Sequence, residues 1–152
     1  MPMQTSVPQD PAFRERVRAS YALQAIMATL GAELTRVEPG EVGIELPYRD
    51  DLAQQHGFLH AGVLATVLDS ACGYAAFTLM PAEAGVVSVE FKVNLLTPAV
   101  GSRFLARAHV VRAGRTLSVC QADGYMLHNG VEKHVALMTG TMMCLRDGNV
   151  RG

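Results

Sequence analysis

Asp69 is the only charged side chain between Asp51 and Glu83, and the residues that follow His60, as far as Ala76, are mostly apolar or small. An ionised carboxylate buried without partners costs several kcal/mol or becomes neutral. A position of this kind therefore implies a compensating donor or a chemical task. The chemistry open to such a group is direct nucleophilic attack or abstraction of a proton from water. The alternative is structural, with Asp69 accepting hydrogen bonds from the backbone or a serine of a neighbouring strand. Upstream lies a loop rich in His, Gln and Gly, reading Gln54-Gln55-His56-Gly57-Phe58-Leu59-His60-Ala61-Gly62. His56 and His60 are four apart and can share a helical face. A metal site needs a third ligand, and only Asp69 or the distant His109, His128 and His134 are at hand. No metal is expected, and His60 reads as a loop-organising hydrogen-bonder that can also touch a substrate.

Elements that would position these residues follow from the pattern. Asp10-Pro11 is a helix opening, a capping carboxylate before proline at the first helical position. Phe13, Val17, Tyr21 and the run from Leu23 to Leu30 give an approximate helical stripe, which Gly31 is placed to end. Two strands are expected over Ala32 to Val37 and Val42 to Leu46, joined by a Glu38-Pro39-Gly40-Glu41 turn. Asp50 to Leu59 reads as a loop. One long helix runs from about His60 to Met80 and stops at Pro81. The remaining chain reads as four antiparallel strands. The first of them alternates Val87, Val89, Phe91, Val93 and Leu95 with polar residues, a half-buried pattern. The small residues Gly62, Ala65, Gly73, Ala75 and Ala76 suit close approach of helix and sheet, a two-layer α+β arrangement.

Composition sets bounds. The chain has 152 residues, long enough for one domain with a real core. A flexible tail is expected over 1–10 and a single domain over 11–147. With a formal net charge of −1 and no basic stripe, nucleic acid is not an expected partner. No signal-like N-terminus and no run of membrane-spanning length is present, so a cytoplasmic protein without membrane association is expected. Cys72, Cys120 and Cys144, odd in number and without metal-like spacing, read as buried reduced thiols.

Gln54, Gly57, His60 and Gly62 followed by an apolar helix carrying Asp69, together with the strand Val87 to Asn94 leading to Thr97-Pro98-Ala99, resemble the hotdog-fold acyl-CoA thioesterases of the phenylacetate-pathway (PaaI-type) branch. The resemblance covers about Ala32 to Leu145. It implies a hotdog fold, a long central helix wrapped by a curved antiparallel sheet of about six strands, here with an extra N-terminal helix. It implies hydrolysis of a medium-chain or aryl-acyl-CoA thioester to free acid and CoA, without a cofactor beyond the coenzyme A of the substrate. By the same resemblance Asp69 is nucleophile or general base, and Gln54 (commonly Asn in relatives) positions thioester or water. The amides of Ala61 and Gly62 form the oxyanion hole, and Ser88 assists. Here His60-Ala61-Gly62 stands where His-Gly-Gly is usual.

Asp69 lies eight residues beyond Ala61, a rise of roughly 12 Å along one helix. A carboxylate and a helix start so far apart serve one thioester only if they come from different chains. A homodimer with sites at the subunit interface is therefore expected, paired further into a dimer of dimers. Arg112 and Arg115 at a hairpin are candidate grips for CoA phosphates, with Arg103, Arg107 and Lys92 behind them, and Asn94 is a further substrate contact. The eight methionines suit either core filling or an adaptable apolar tunnel. Two other functions fit the same pattern. One is a hotdog enoyl-CoA hydratase or dehydratase using His56 or His60 with Asp69; the other is a non-catalytic acyl-CoA-binding module.

Overall fold

The structure, a computed structural model, describes residues 7–146. Two short helices, α1 (Phe13–Leu23) and α2 (Ala25–Leu30), open it. A hairpin of β1 (Glu33–Glu38) and β2 (Glu41–Pro47) follows, then the long helix α3 (Ala61–Phe77). Four strands complete the chain: β3 (Gly85–Leu95), β4 (Arg103–Ala113), β5 (Leu117–His128) and β6 (Val131–Leu145). All six strands form one antiparallel sheet in the order β1-β2-β4-β5-β6-β3. It wraps α3, which packs against every strand from β2 to β6. This is the hotdog arrangement expected from the sequence.

The single N-terminal helix expected from the stripe is broken at Gln24, whose φ of −80° and ψ of 94° are extended. Beyond the break, Gly31 ends α2 in the left-handed region (φ 74°). There its amide reaches Ala28 O and that of Ala32 reaches Met27 O, a cap that only glycine adopts cheaply. The expected tail and the expected domain end at 147 fall largely outside the described residues. Within them, Gln9 Nε2 donates to Leu79 O (3.0 Å), and the buried Asp10 caps the Ala12 amide (2.9 Å).

Helix α3 stops at Phe77, three residues before the expected end. Its last carbonyls explain why the stop is firm. The Arg16 guanidinium donates to Phe77 O (2.8 Å), Met80 O (3.0 Å) and Pro81 O, and stacks on the Phe77 ring at 4.2 Å. Arg16 Nε lies 3.2 Å from Asp10 Oδ2, an ion pair too poorly aligned to count as a hydrogen bond. Burial pulls the Arg16 pKa down while Asp10 pushes it back up. A charged donor on backbone carbonyls contributes about 1.5–3 kcal/mol per bond in mutational series, so Arg16 fastens α1 to the end of the central helix.

The core lies between α3 and the concave sheet face. Ile44, Leu46, Leu68, Phe77, Phe104, Met126, Met138 and Met142 are fully buried there, each worth about 1.5–3 kcal/mol of transfer free energy. The methionines at 126, 138 and 142 are thus core filling rather than a tunnel, while Met143 sits half-buried on the other face. All three cysteines are buried and free. Desolvation pushes the Cys72 thiol far up and that of Cys120 up to about 12, so neither is a reactive thiolate.

Strand β3 departs most from its sequence pattern. Val87, Val89, Phe91 and Leu95 were expected to face the core, yet all four are exposed, Val89 by 51% and Leu95 by 52%. The strand is an edge, with nothing hydrogen-bonded beyond it among the described residues. A register shift between Ser88 and Glu90 also makes Val89 a bulge. A bulge reverses which side chains face which way. Before it, Val86 and Ser88 lie opposite Cys144 and Met142 on the concave face; after it, Phe91, Val93 and Leu95 do, opposite Gly140, Met138 and Ala136. Strict alternation would have put Ser88 on the face opposite Phe91.

Candidate active site

The bulge delivers Ser88 to Asp69. Ser88 Oγ donates to Asp69 Oδ1 at 2.7 Å, on a half-buried stretch of α3, and also lies 3.4 Å from Met142 Sδ. Asp69 Oδ2 has no hydrogen-bond partner among the described residues. One carboxylate oxygen is thus held while the other is without a partner among the described residues, the posture a nucleophile or base requires.

The loop before α3 is built by Gln54. Its Oε1 accepts from the amides of His56 (2.5 Å) and Phe58 (3.4 Å), and its own backbone amide donates to Phe58 O (2.8 Å). Two backbone donors fix the amide orientation, which leaves Nε2 as the outward-facing donor. Leu59 is tied to Ala99 O (3.3 Å) and His60 to Leu52 O (3.0 Å), anchoring both sides of the loop.

His60 is the N-cap of α3. With φ −61° and ψ 138° it is extended, and its Nδ1 accepts from Gly62 N at 2.8 Å. An imidazole in an N-cap position does the work usually done by Ser or Asp, and accepting at Nδ1 places its ring proton on Nε2. This cap divides the two expected oxyanion donors. The Gly62 amide is occupied by His60, whereas the Ala61 amide has no partner among the described residues. Of the two expected oxyanion donors, only the Ala61 amide is thus left free among the described residues. At Gly62 a Cβ would sit 3.1 Å from His60 Nδ1, so glycine there protects the cap.

Other candidate residues are sorted by their partners. Arg103 pairs with Glu45 (3.2 Å), and Arg107 forms a two-pronged pair with Glu132 (2.6 and 2.7 Å) and stacks on Tyr125, so both are committed to the outer sheet face. The Glu132 partner holds the Arg107 pKa up, and Arg107 in turn holds the Glu132 carboxyl below its usual range. Arg112 and Arg115 are exposed at the β4–β5 hairpin and form no ion pair among the described residues. The register Val87–Met143–Leu117 puts that hairpin at the Ser88 end of the sheet. Asn94 lies opposite Leu137 on the outer face, exposed and roughly 20 Å along β3 from Ser88. The structure does not bring it to Asp69 within one chain. Lys92 is exposed on the same strand. His56 tilts against Phe58 and, like His60, stays in the loop. Among the described residues no cluster of three or more His, Cys, Asp or Glu is placed to hold a metal. Among the described residues no helix is long and apolar enough to cross a membrane.

Six antiparallel strands in one sheet wrapped about α3 define a protein of hotdog fold, with Asp69 held by Ser88 and, among the described residues, an unpaired Ala61 amide at the helix start. Residues 56–132 match the Thioesterase superfamily, and the chain belongs to that family. It is 55% identical to a solved thioesterase family protein from Silicibacter pomeroyi, with a TM-score of 0.87 over 88% of this chain and 98% of that one. It is 29% identical to human acyl-coenzyme A thioesterase 13 over 115 residues, 73% of this chain and 80% of the relative. The E. coli PaaI protein from the phenylacetic acid degradation operon shares the fold, with a TM-score of 0.77 at 20% identity over 89% of this chain and 94% of that one. The chain is a thioester hydrolase of hotdog fold.

Proposed function

We infer that the protein hydrolyses a medium-chain or aryl-acyl-CoA thioester at a site assembled from two protomers. The observation that carries this reading is the Ser88–Asp69 contact on α3, with one carboxylate oxygen left free. Asp69 attacks the thioester carbonyl or deprotonates a water that does so. The carbonyl oxygen becomes negative as it is attacked, and the Ala61 amide, with the partial positive charge of the α3 N-terminus behind it, receives that charge. Gln54 Nε2 positions the water or the carbonyl. The C–S bond then breaks and the thiolate of CoA leaves; after direct attack, water hydrolyses the acyl-aspartyl anhydride to the free acid, and after water activation, Asp69 returns its proton to the leaving thiolate.

Ala61 and Asp69 of one α3 are about 12 Å apart, so the amide that serves Asp69 belongs to a second protomer. Strand β3 offers the means. It is an 11-residue free edge with exposed Val89, Phe91 and Leu95, the kind of edge that proteins ordinarily cover or blunt. Antiparallel pairing of two such edges about a two-fold axis near mid-strand brings the Ser88 end of one against the Leu95 end of the other. That far end leads to Ala99, whose carbonyl holds the loop entering α3. One pairing thus brings Asp69 toward the helix start of its neighbour, twice per dimer. Arg112 and Arg115, without an ion pair among the described residues and at the Ser88 end, are placed to meet the phosphates of CoA.

Free-thiol release from hexanoyl-CoA and phenylacetyl-CoA tests the reaction, with crotonyl-CoA hydration followed in parallel. Thiol release without hydration is expected. Hydration without thiol release would transfer the site to a hydratase, for which His60 would have to leave its capping bond.

A further inference from the structure

A cleft of about 300 Å³ lies between the α1–α2 break and α3, lined by Leu23, Gln24, Gly73, Tyr74, Val86 and Ser88. Ser88 is shared with the Asp69 contact, so the cleft opens directly beside the reacting carboxylate. A cavity of roughly 150 Å³ accommodates benzene, so this one has room for a substituted ring or a medium alkyl chain.

Its lining is not uniformly apolar. Tyr74 Oη sits 3.1 Å from Ser20 Oγ and 3.4 Å from Gln24 Nε2, and Gln24 Oε1 accepts from Ser70 Oγ at 2.7 Å. Gln24 reaches these partners because the helix breaks there, at a residue that is neither proline nor glycine. The Ser20–Tyr74 contact uses one hydroxyl proton of the two, and the Gln24 amide donates rather than accepts at Tyr74. One hydroxyl proton of the pair is therefore left without a partner among the described residues. Tyr74 is buried at 5% exposure, and burial pushes its phenol up against the smaller downward pull of Ser20, so the group remains a donor.

Gly73 supports the same reading. Close packing against the sheet was the expected reason for it, yet a Cβ there would meet only Met142 Sδ, at an ordinary 4.0 Å. Glycine inside a helix costs about 1 kcal/mol relative to alanine. What its missing side chain leaves open is the floor of the cleft.

We propose that this cleft receives the far end of the acyl group, and that Tyr74, held by Ser20 and Gln24, selects acyl chains bearing a hydrogen-bond-accepting oxygen over unsubstituted chains of equal length. Tyr74 lies five residues beyond Asp69, a rise of roughly 7.5 Å with a turn of about 140° round the helix, which sets a lower bound on the distance from thioester carbon to the preferred oxygen. The proposal rests on Asp69 marking the thioester end of the site. An extended chain with its oxygen on the sixth carbon spans that distance.

The test compares 6-hydroxyhexanoyl-CoA with heptanoyl-CoA, which match in heavy atoms. Calorimetric Kd values on the Asp69→Asn protein provide a readout independent of turnover, and kcat/KM on the otherwise unaltered protein provides a second. The hydroxylated substrate is expected to be favoured about tenfold. Tyr74→Phe, which keeps the ring contacts to Tyr21 and Phe77, should bring the ratio to about one. Gly73→Ala, which a helix tolerates well, should weaken both eight-heavy-atom acyl groups relative to acetyl-CoA. Equal Kd values for the two substrates, or a preference that survives Tyr74→Phe, would overturn the proposal while leaving hydrolysis by Asp69 intact. Discrimination in binding without any thiol release would instead overturn the hydrolase reading and keep the cleft's role.

Discussion

Replacing Asp69 by Asn should lower kcat for acyl-CoA hydrolysis by about 10²- to 10⁴-fold, the range that a positioned base contributes. Asparagine preserves the shape and keeps an Oδ1 that can accept from Ser88 Oγ, so the contact at 2.7 Å need not be lost. What disappears is the negative oxygen now without a partner. KM should change little, because the cleft and the CoA contacts are untouched. Free-thiol release under saturating substrate measures the effect, with circular dichroism as a check on folding. Near-normal turnover would return Asp69 to a purely structural role, accepting from Ser88 and nothing more.

The second large effect should come from Ala61→Pro. Proline at the first helical position lacks only an N–H that the helix itself does not use. His60, at φ −61° and ψ 138°, already has the extended conformation that a residue before proline adopts. Since the Ala61 amide has no partner among the described residues, the substitution removes no hydrogen bond from the fold. Stability should hold while kcat falls by about 10²- to 10³-fold, the loss typical of one oxyanion donor. Thermal unfolding and thiol release on the same preparation check both halves. Wild-type turnover in a stable Ala61→Pro protein would mean that the oxyanion is met elsewhere.

Much of the site was legible in residue types. A lone carboxylate in an apolar helix, Asp69, announces itself because burial of charge is costly, and the helix start is readable because the run from Ala61 is so apolar. The strands of the second half were also legible, since their alternation is strong and their turns carry Gly or Asn. Three features were not. The bulge at Val89 leaves no mark in the alternation of β3, yet it alone puts Ser88 on the face of Asp69. The capture of the Gly62 amide by His60 depends on a side-chain rotamer, which spacing does not specify. The break at Gln24 lacks the usual helix breakers and is held by contacts to Ser70 and Tyr74, residues some 50 positions away. Nothing in the sequence singles out Ser20, Gln24 or Tyr74; the only hint is a tyrosine amid small residues on α3. In the same way, the exposed apolar residues of β3 read as core in a single sequence, because alternation does not tell an edge strand from a covered one.

The most direct test of a shared site is a mixed dimer. Asp69→Asn and Ala61→Pro chains, carrying different tags, are co-expressed, and the dimer containing one of each is isolated by two affinity steps. One of its two sites then combines an intact Asp69 with an intact Ala61 amide from the other chain, while the second site has neither. The mixed dimer should recover about half the wild-type thiol release per dimer, although each parent dimer is nearly inactive. A mixed dimer as inactive as its parents would contradict the account, because the carboxylate and the amide would then have to act within one chain.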